Sequence, residues 1–462
     1  MNLSNFLYDP SLDLFLYHLK DGLGEGEDKI KENHDQFWEN LPPELKVDFE
    51  TESKAENSGY IKLFKLTQDK PTFPLQAKPI RGYKIGGYYY PVLFSDTYGL
   101  LLDCDFDDKN SVFSVDCFQE FKNIFADKKG DLGKIWMIFG YRDSSSTPED
   151  IAKAAYKSLM GQEWQPGNVK SGNFMGADIF EIWQLSPSDY WKCIDDSPED
   201  KSPVLIIIYP TADTMDKARY FYDSWLNLLC HRQKILWAYR DSRKYSKELQ
   251  KQLSLINSTI KIINQSKLDL STLKTNIAIF SNYVIQLEQL EILNQAIKVN
   301  LHNYQTWLNH ITSRASQLGE TKLNFLEEFS DVVTKQYQKQ IEQDYNIFKP
   351  GLSVLESLRD TISRIVEIDQ AKSDRHFQQN VEVVGFGLAT ASIAATAISP
   401  FVPNIIKTEP NENLPAVEGG INFLATTLFS ILVGILAKWA AEVWVRSRIV
   451  SQAKSHRHPP NK

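Results

Sequence analysis

Asp103, Asp105, Asp107 and Asp108 crowd one short stretch of the chain. Alternate carboxylates along an extended segment can converge on a hard divalent cation such as Mg²⁺ or Ca²⁺. The regular calcium-binding loop is excluded: Asp108 stands where its glycine belongs, and Ser114 replaces the closing glutamate. Two readings share these residues, a looser metal site on Asp103, Asp105 and Asp107 or an acidic surface turn.

A second group lies on an expected helix over 221–243, which carries Trp225, Arg232, Trp237, Tyr239, Arg240 and Arg243. Guanidinium groups over aromatic faces are stabilised by cation–π attraction and can also hold an anion. Arg232 and Arg240 are therefore ligand candidates, the alternative being a packing helix at a domain junction. Cys230 and His231 are adjacent, which sets their side chains about 100° apart on a helix and makes a poor dyad. His302, His310 and His376 also fall on helical segments, far from matched carboxylates. Glycines 82, 86 and 87 fit neither phosphate-cradling pattern and read as a hairpin turn. No nucleophile elbow and no His-Glu-x-x-His helix occurs, so an enzyme is not expected.

Composition narrows the classes further. A net charge of −8 argues against nucleic acid as the main partner, since phosphate neutralisation needs a basic surface. Cys104, Cys117, Cys193 and Cys230 include no C-x-x-C pair, which suggests reduced thiols in a cytosolic body. The N-terminus lacks the basic and apolar regions of a secretory signal. Mean hydropathy is −0.35, yet the apolar signal gathers at the far end.

The elements expected to position these groups fall into five segments. Residues 1–59 read as an N-terminal helical extension, with 12–19 as an apolar, helix-like run stopped by glycines. Residues 60–212 read as an α/β domain, with strands at 60–66, 88–94, 99–103, 111–115, 134–141, 177–185 and 204–209. Thr147-Pro148-Glu149-Asp150 is a helix start, with Thr147 as the cap, leading into a helix over 151–160. A further helix is expected after a cap at Asp213 or Thr214.

Residues 213–380 read as a long helical stalk, a bundle or coiled coil. Leu273, Phe280, Leu287, Asn294, Leu301, Leu308 and Ala315 hold one heptad position. Tyr283, Leu290, Ile297, Tyr304, Ile311 and Leu318 hold the second, with Ile277 one place off the ideal. The polar Asn294 would set the register of such a seam. The seam could close within one chain or between chains.

Residues 383–403 and 419–437 contain no Asp, Glu, Lys or Arg, and within 381–445 they form an expected transmembrane helix pair. At about 1.5 Å per residue, each run can cross a hydrocarbon core of roughly 30 Å. The tail, 446–462, carries Arg446, Arg448, Lys454, Arg457 and Lys462 with no acidic residue. By the positive-inside rule that tail is cytoplasmic, and two spans return the N-terminal body to the same side. The first run is rich in Gly and Ala with Thr390, Ser392, Thr396 and Ser399 between them, while the second is bulkier. Small residues permit close helix approach and hydroxyls can face a wet lumen, which makes the first run the inner one.

This order resembles the CorA-type magnesium channel family: a cytoplasmic α/β domain, long helices, two C-terminal spans, a short acidic outer loop and a basic tail. The resemblance implies a homo-oligomer, pentameric in that family, with the first span lining the pore. It also implies membrane lipid as surroundings and Mg²⁺ or another divalent cation as cargo or regulator. The family's Gly-Met-Asn should fall near 398–404, where this chain reads Ile398-Ser399-Pro400-Phe401-Val402-Pro403-Asn404. Only Asn404 matches, so the selectivity signature is absent and the chain is a divergent relative by this reading.

The leading expectation is an integral membrane oligomer whose cytoplasmic domain gates a small cation pore. Glu409, Glu412 and Glu418 would draw cations to its mouth, and Thr390, Ser392, Thr396, Ser399 and Asn404 would line it. The alternative is a membrane-tethered sensor or effector whose domain binds a ligand or partner without ion transport.

Overall fold

A computed structural model describes residues 5–357, apart from 23–25, 48, 50–51, 53–59, 64–72, 109–110, 144–146, 184–202 and 265–269. Both candidate spans, the outer loop, the tail and every proposed pore residue lie outside the described residues. No helix among the described residues is long and apolar enough to cross a membrane.

An N-terminal α/β domain with a mixed sheet is followed by helices. The 14-residue strand β1 (Phe6–Leu19) runs through the middle of the sheet. It corrects the expectation of a helical extension over 1–59, because the run 12–19 is strand. The reason is burial on both faces: β1 is almost continuously buried and lacks the in–out alternation of a half-exposed strand. A true helix does follow, α1 (Glu27–Trp38).

The other strands are β2 (Tyr60–Lys62), β3 (Phe73–Pro74), β4 (Ile85–Phe94), β5 (Thr97–Phe106) and β6 (Val112–Ser114). Then come β7 (Gly133–Tyr141), β8 (Val169–Phe174), β9 (Ala177–Ile182) and β10 (Val204–Tyr209). Their order is β2-β4-β5-β1-β7-β10-β9-β8, with β3 on β4 and β6 on β1. Only β7 and β10 pair in parallel among the described strands. The crossover between them contains α3 (Pro148–Met160), as a parallel pair demands.

One face of the sheet is a dry core. Leu12, Leu14, Leu100, Leu102, Ile138 and Ile206 pack there, against side chains from α1, α2 (Cys117–Ile124) and α3. Pro148 opens α3 as expected, and Gly161 closes it in the left-handed region, the usual helix stop. Thr147, however, makes no backbone cap; its hydroxyl bonds the Asp150 carboxylate instead. The following helix, α4 (Ala212–Ala218), is capped by Thr211 rather than Asp213 or Thr214, and Thr211 Oγ1 accepts from the Thr214 N–H.

The chain continues into two long helices, α5 (Tyr222–Asn264, 43 residues) and α6 (Leu270–Ser316, 47 residues). Shorter ones follow, α7 (Asn324–Val332), a π-helical turn (Val333–Gln338) and α8 (Lys339–Phe348). The described residues divide into two compact units, one within Met1–Arg240 and Ala296–Gln338, the other within Asp241–Gln295 and 339–357. In the first, Tyr304 donates to the Leu326 carbonyl at 3.0 Å and Tyr239 stacks on Tyr337 at 3.8 Å. In the second, Tyr283 donates to the Phe348 carbonyl at 2.6 Å and Arg243 pairs with Asp344.

The heptad is legible in the burial of α6. Phe280, Tyr283, Leu287, Leu290, Asn294, Ile297, Leu301, Tyr304, Leu308, Ile311 and Ala315 are all buried within the single chain. Leu318 lies beyond the end of α6 and is exposed.

Candidate functional site

The face of the sheet opposite the dry core carries the charged residues. β1 presents Ser11 and Asp13 there, β5 presents Asp103, and β4 contributes Tyr88. In the antiparallel register Asp13 stands directly opposite Asp103, and Ser11 opposite Asp105. Asp13 is 0% exposed and Asp103 only 5%. Ser11 Oγ donates to Asp103 Oδ1 at 2.9 Å.

Local backbone features make this arrangement possible. The register of β1 on β7 shifts between Tyr8 and Ser11, a bulge centred on Asp9-Pro10 that re-aims the following side chains. Asp9 takes φ +46°, which aspartate tolerates better than most residues. Across the pair, Gly87 adopts φ +122°, and a Cβ on it would collide with the Asp103 carbonyl. Gly86 leaves room for the Asp105 and Asp107 carboxylates. These glycines thus sit inside β4 rather than in the hairpin turn expected for them.

A buried carboxylate accepts hydrogen bonds and donates none, and neither oxygen of Asp13 meets a donor. Leaving such a group ionised in an apolar interior is expensive, and a second carboxylate alongside raises the cost. Burial pushes the Asp13 carboxyl well above its ordinary range; Asp103 and Asp105 push it the same way, and Arg219 opposes them. A proton between Asp13 and Asp103 converts two acceptors into a hydrogen bond. Burial also raises the Tyr88, Tyr209 and Tyr222 hydroxyls around the pair, so they remain neutral. Arg219 is half-exposed, and its guanidinium lies 3.8 Å from Asp9.

The acids singled out from sequence divide: Asp105 and Asp107 both border Gly86, while Asp103 joins the buried pair. Asp103 is buried, Asp105 is partly buried, and Asp107 is exposed in an ion pair with Lys84. Among the described residues no three His, Cys, Asp or Glu side chains are gathered to hold a metal, so Asp103, Asp105 and Asp107 do not form the three-carboxylate site. Alternation alone would keep the three acids on one face, but β5 ends at Phe106, and Asp107 beyond it is exposed and pairs with Lys84.

Arg232 is turned into the fold. It is 0% exposed and forms an ion pair with Glu181 of β9, with its guanidinium 4.5 Å from the Trp183 ring and 5.0 Å from Phe329. Arg232 therefore serves an internal carboxylate, as in the packing-helix reading. Arg240 is buried too; burial raises the Asp131 carboxyl, opposed by the Leu19 and Leu132 N–H groups and more weakly by Arg240. His231 bonds the Asn300 side chain at 2.9 Å, and burial lowers its pKa to about 4. Cys104, Cys117 and Cys230 are buried thiols.

Asp13, Ser11, Tyr88, Tyr209, Tyr222 and Glu181 escaped the sequence reading. The available signal was a lone acid inside the apolar run Leu12-Asp13-Leu14-Phe15-Leu16, which a surface helix would explain equally well. Away from the acid pair, a cavity of about 680 Å³ opens beside the start of α3, lined by Thr147, Ser171, Asn173, Asp178 and Lys322 among others. Lys322 there is paired with Glu320 at 2.6 Å.

No family model, curated protein or solved structure matches this chain.

Proposed function

We propose that this protein is an oligomeric, two-span membrane protein in which the α/β domain controls a small cation pore built from the C-terminal runs. One observation carries the reading: residues 383–403 and 419–437 are uncharged over 21 and 19 residues, and all five charges of the tail after 445 are basic. The order of elements supports it, since a mixed-sheet domain precedes two helices of 43 and 47 residues before the apolar runs. The CorA-type channel family has the same order. Glu409, Glu412 and Glu418 then concentrate cations at the outer mouth, and Thr390, Ser392, Thr396, Ser399 and Asn404 line the path. Both termini are cytoplasmic in this arrangement. A helical stalk leads from the domain into the first span.

The test is reconstitution of the full chain into liposomes loaded with cation-sensitive dyes. The expected result is flux of at least one cation, reduced severalfold when Glu409, Glu412 and Glu418 are changed together to Gln. Membrane insertion without flux of Mg²⁺, Ca²⁺, Na⁺ or K⁺ would remove the pore and leave a tether. Recovery of the full chain in the detergent-free supernatant would remove both.

A further inference from the structure

The first turns of α5 lie on the acid pair. Tyr17, on the same face of β1 as Asp13, donates to the Leu226 carbonyl at 2.8 Å. Tyr90 of β4 donates to Asp223 Oδ1 at 2.8 Å. The Tyr222 ring meets Phe139 of β7 at 6.2 Å, and its hydroxyl feels both Asp13 and Asp103. The seat of a 43-residue helix is thus built beside two facing carboxyl groups, one of which, Asp13, meets no donor at either oxygen. We propose that Asp13 and Asp103 form a proton-binding site that fixes the start of α5 on the sheet, and that loss of the proton loosens this contact.

The surroundings decide the direction of the response. β1 supplies Asp9 and Asp13, β5 supplies Asp103 and Asp105, and β4 supplies Tyr88. β10 supplies Tyr209, the turn after α4 supplies Arg219, and α5 supplies Tyr222. β7 contributes the apolar Met137 and Phe139, and the Cys104 thiol lies on the dry face of β5. Arg219 is already shared between Asp216 at 3.5 Å and Asp9 at 3.8 Å. Ionising both members of the pair adds a charge that Arg219 cannot balance. Hydrating that charge requires water to enter, and Arg219 is the half-exposed member of the group, next to the start of α5. The device belongs to the α/β domain and operates whether or not the chain conducts ions.

The experiment uses the full chain in detergent, with infrared difference spectra and amide hydrogen exchange followed across pH. Asp13→Asn imitates the protonated acid, because its amide can donate to Asp103; Asp103→Asn is the reciprocal variant. In the wild type a protonated-carboxyl stretch should vanish as pH rises. Exchange over residues 222–229 should then quicken beyond the tenfold per pH unit of base-catalysed chemistry. Either variant should lose the band and keep only the chemical pH dependence. A wild type with no such band, or with an exchange profile matching both variants, overturns the proposal. The wild-type measurement decides by itself should either variant fail to fold.

Discussion

Asp13 and Asp103 occupy facing positions on two neighbouring antiparallel strands, both shielded from water, with Ser11 donating to Asp103 and no donor reaching Asp13. Cross-strand pairs of like charge destabilise a sheet unless one is neutralised. The fold is therefore committed to holding a proton here, and that commitment sets how stability varies with pH.

Because burial raises the folded-state pKa of Asp13, the folded chain binds a proton that the unfolded chain has released. This contribution is complete below the ordinary aspartate range and is lost as pH rises through the folded pKa. Thermal unfolding of the wild type should show that decline, and Asp13→Asn should remove it. An identical slope in the two proteins would contradict the assignment.

His231 produces the opposite trend. Its pKa falls to about 4 because burial and nearby Lys234 disfavour the charged ring. The stability it confers is present above the usual histidine range and is lost as pH falls from about 6.5 towards 4. His231→Gln, which keeps a partner for Asn300, should flatten that part of the profile by about 1–3 kcal/mol. Denaturant midpoints at several pH values between these limits provide the check.

Arg232 and Glu181 are a buried ion pair, and removing one partner strands the other. Arg232→Met should destabilise the domain by about 3–5 kcal/mol, whereas Arg232→Met with Glu181→Gln should recover much of the loss. A double variant no better than the single one would show that cation–π packing against Trp183 and Phe329 dominates.

Gly87 permits the close approach of β4 to β5. Gly87→Ala must place a Cβ against the Asp103 carbonyl at φ +122°, and the expected loss is about 2 kcal/mol or more. A melting temperature within a degree of the wild type would mean that β4 relaxes freely at this point.

Local chemistry made several elements legible in advance. The strands over 134–141 and 204–209 stand out because buried β-branched and apolar residues form short runs between turn signals, and both are in the sheet. The heptad of α6 is equally direct, since its 3.5-residue spacing survives any packing arrangement and its side chains are buried from Phe280 to Ala315. The uncharged character of 383–403 and 419–437 is likewise a property of composition alone.

Other outcomes depended on partners distant in the chain. Periodicity could not separate strand from helix over 12–19, because burial on both faces erases the alternation that distinguishes them. Spacing grouped Asp103 with Asp105 and Asp107, yet register gave Asp103 to Asp13, a residue ninety positions earlier, and gave Asp107 to Lys84. Arg232 had the composition of a ligand site until β9 brought Glu181 against it. Residue type and spacing thus determined which elements could exist and which side chains could carry charge. Tertiary pairing alone decided which charges meet, because a carboxylate's proton and partners depend on its neighbours in space and its exclusion from water.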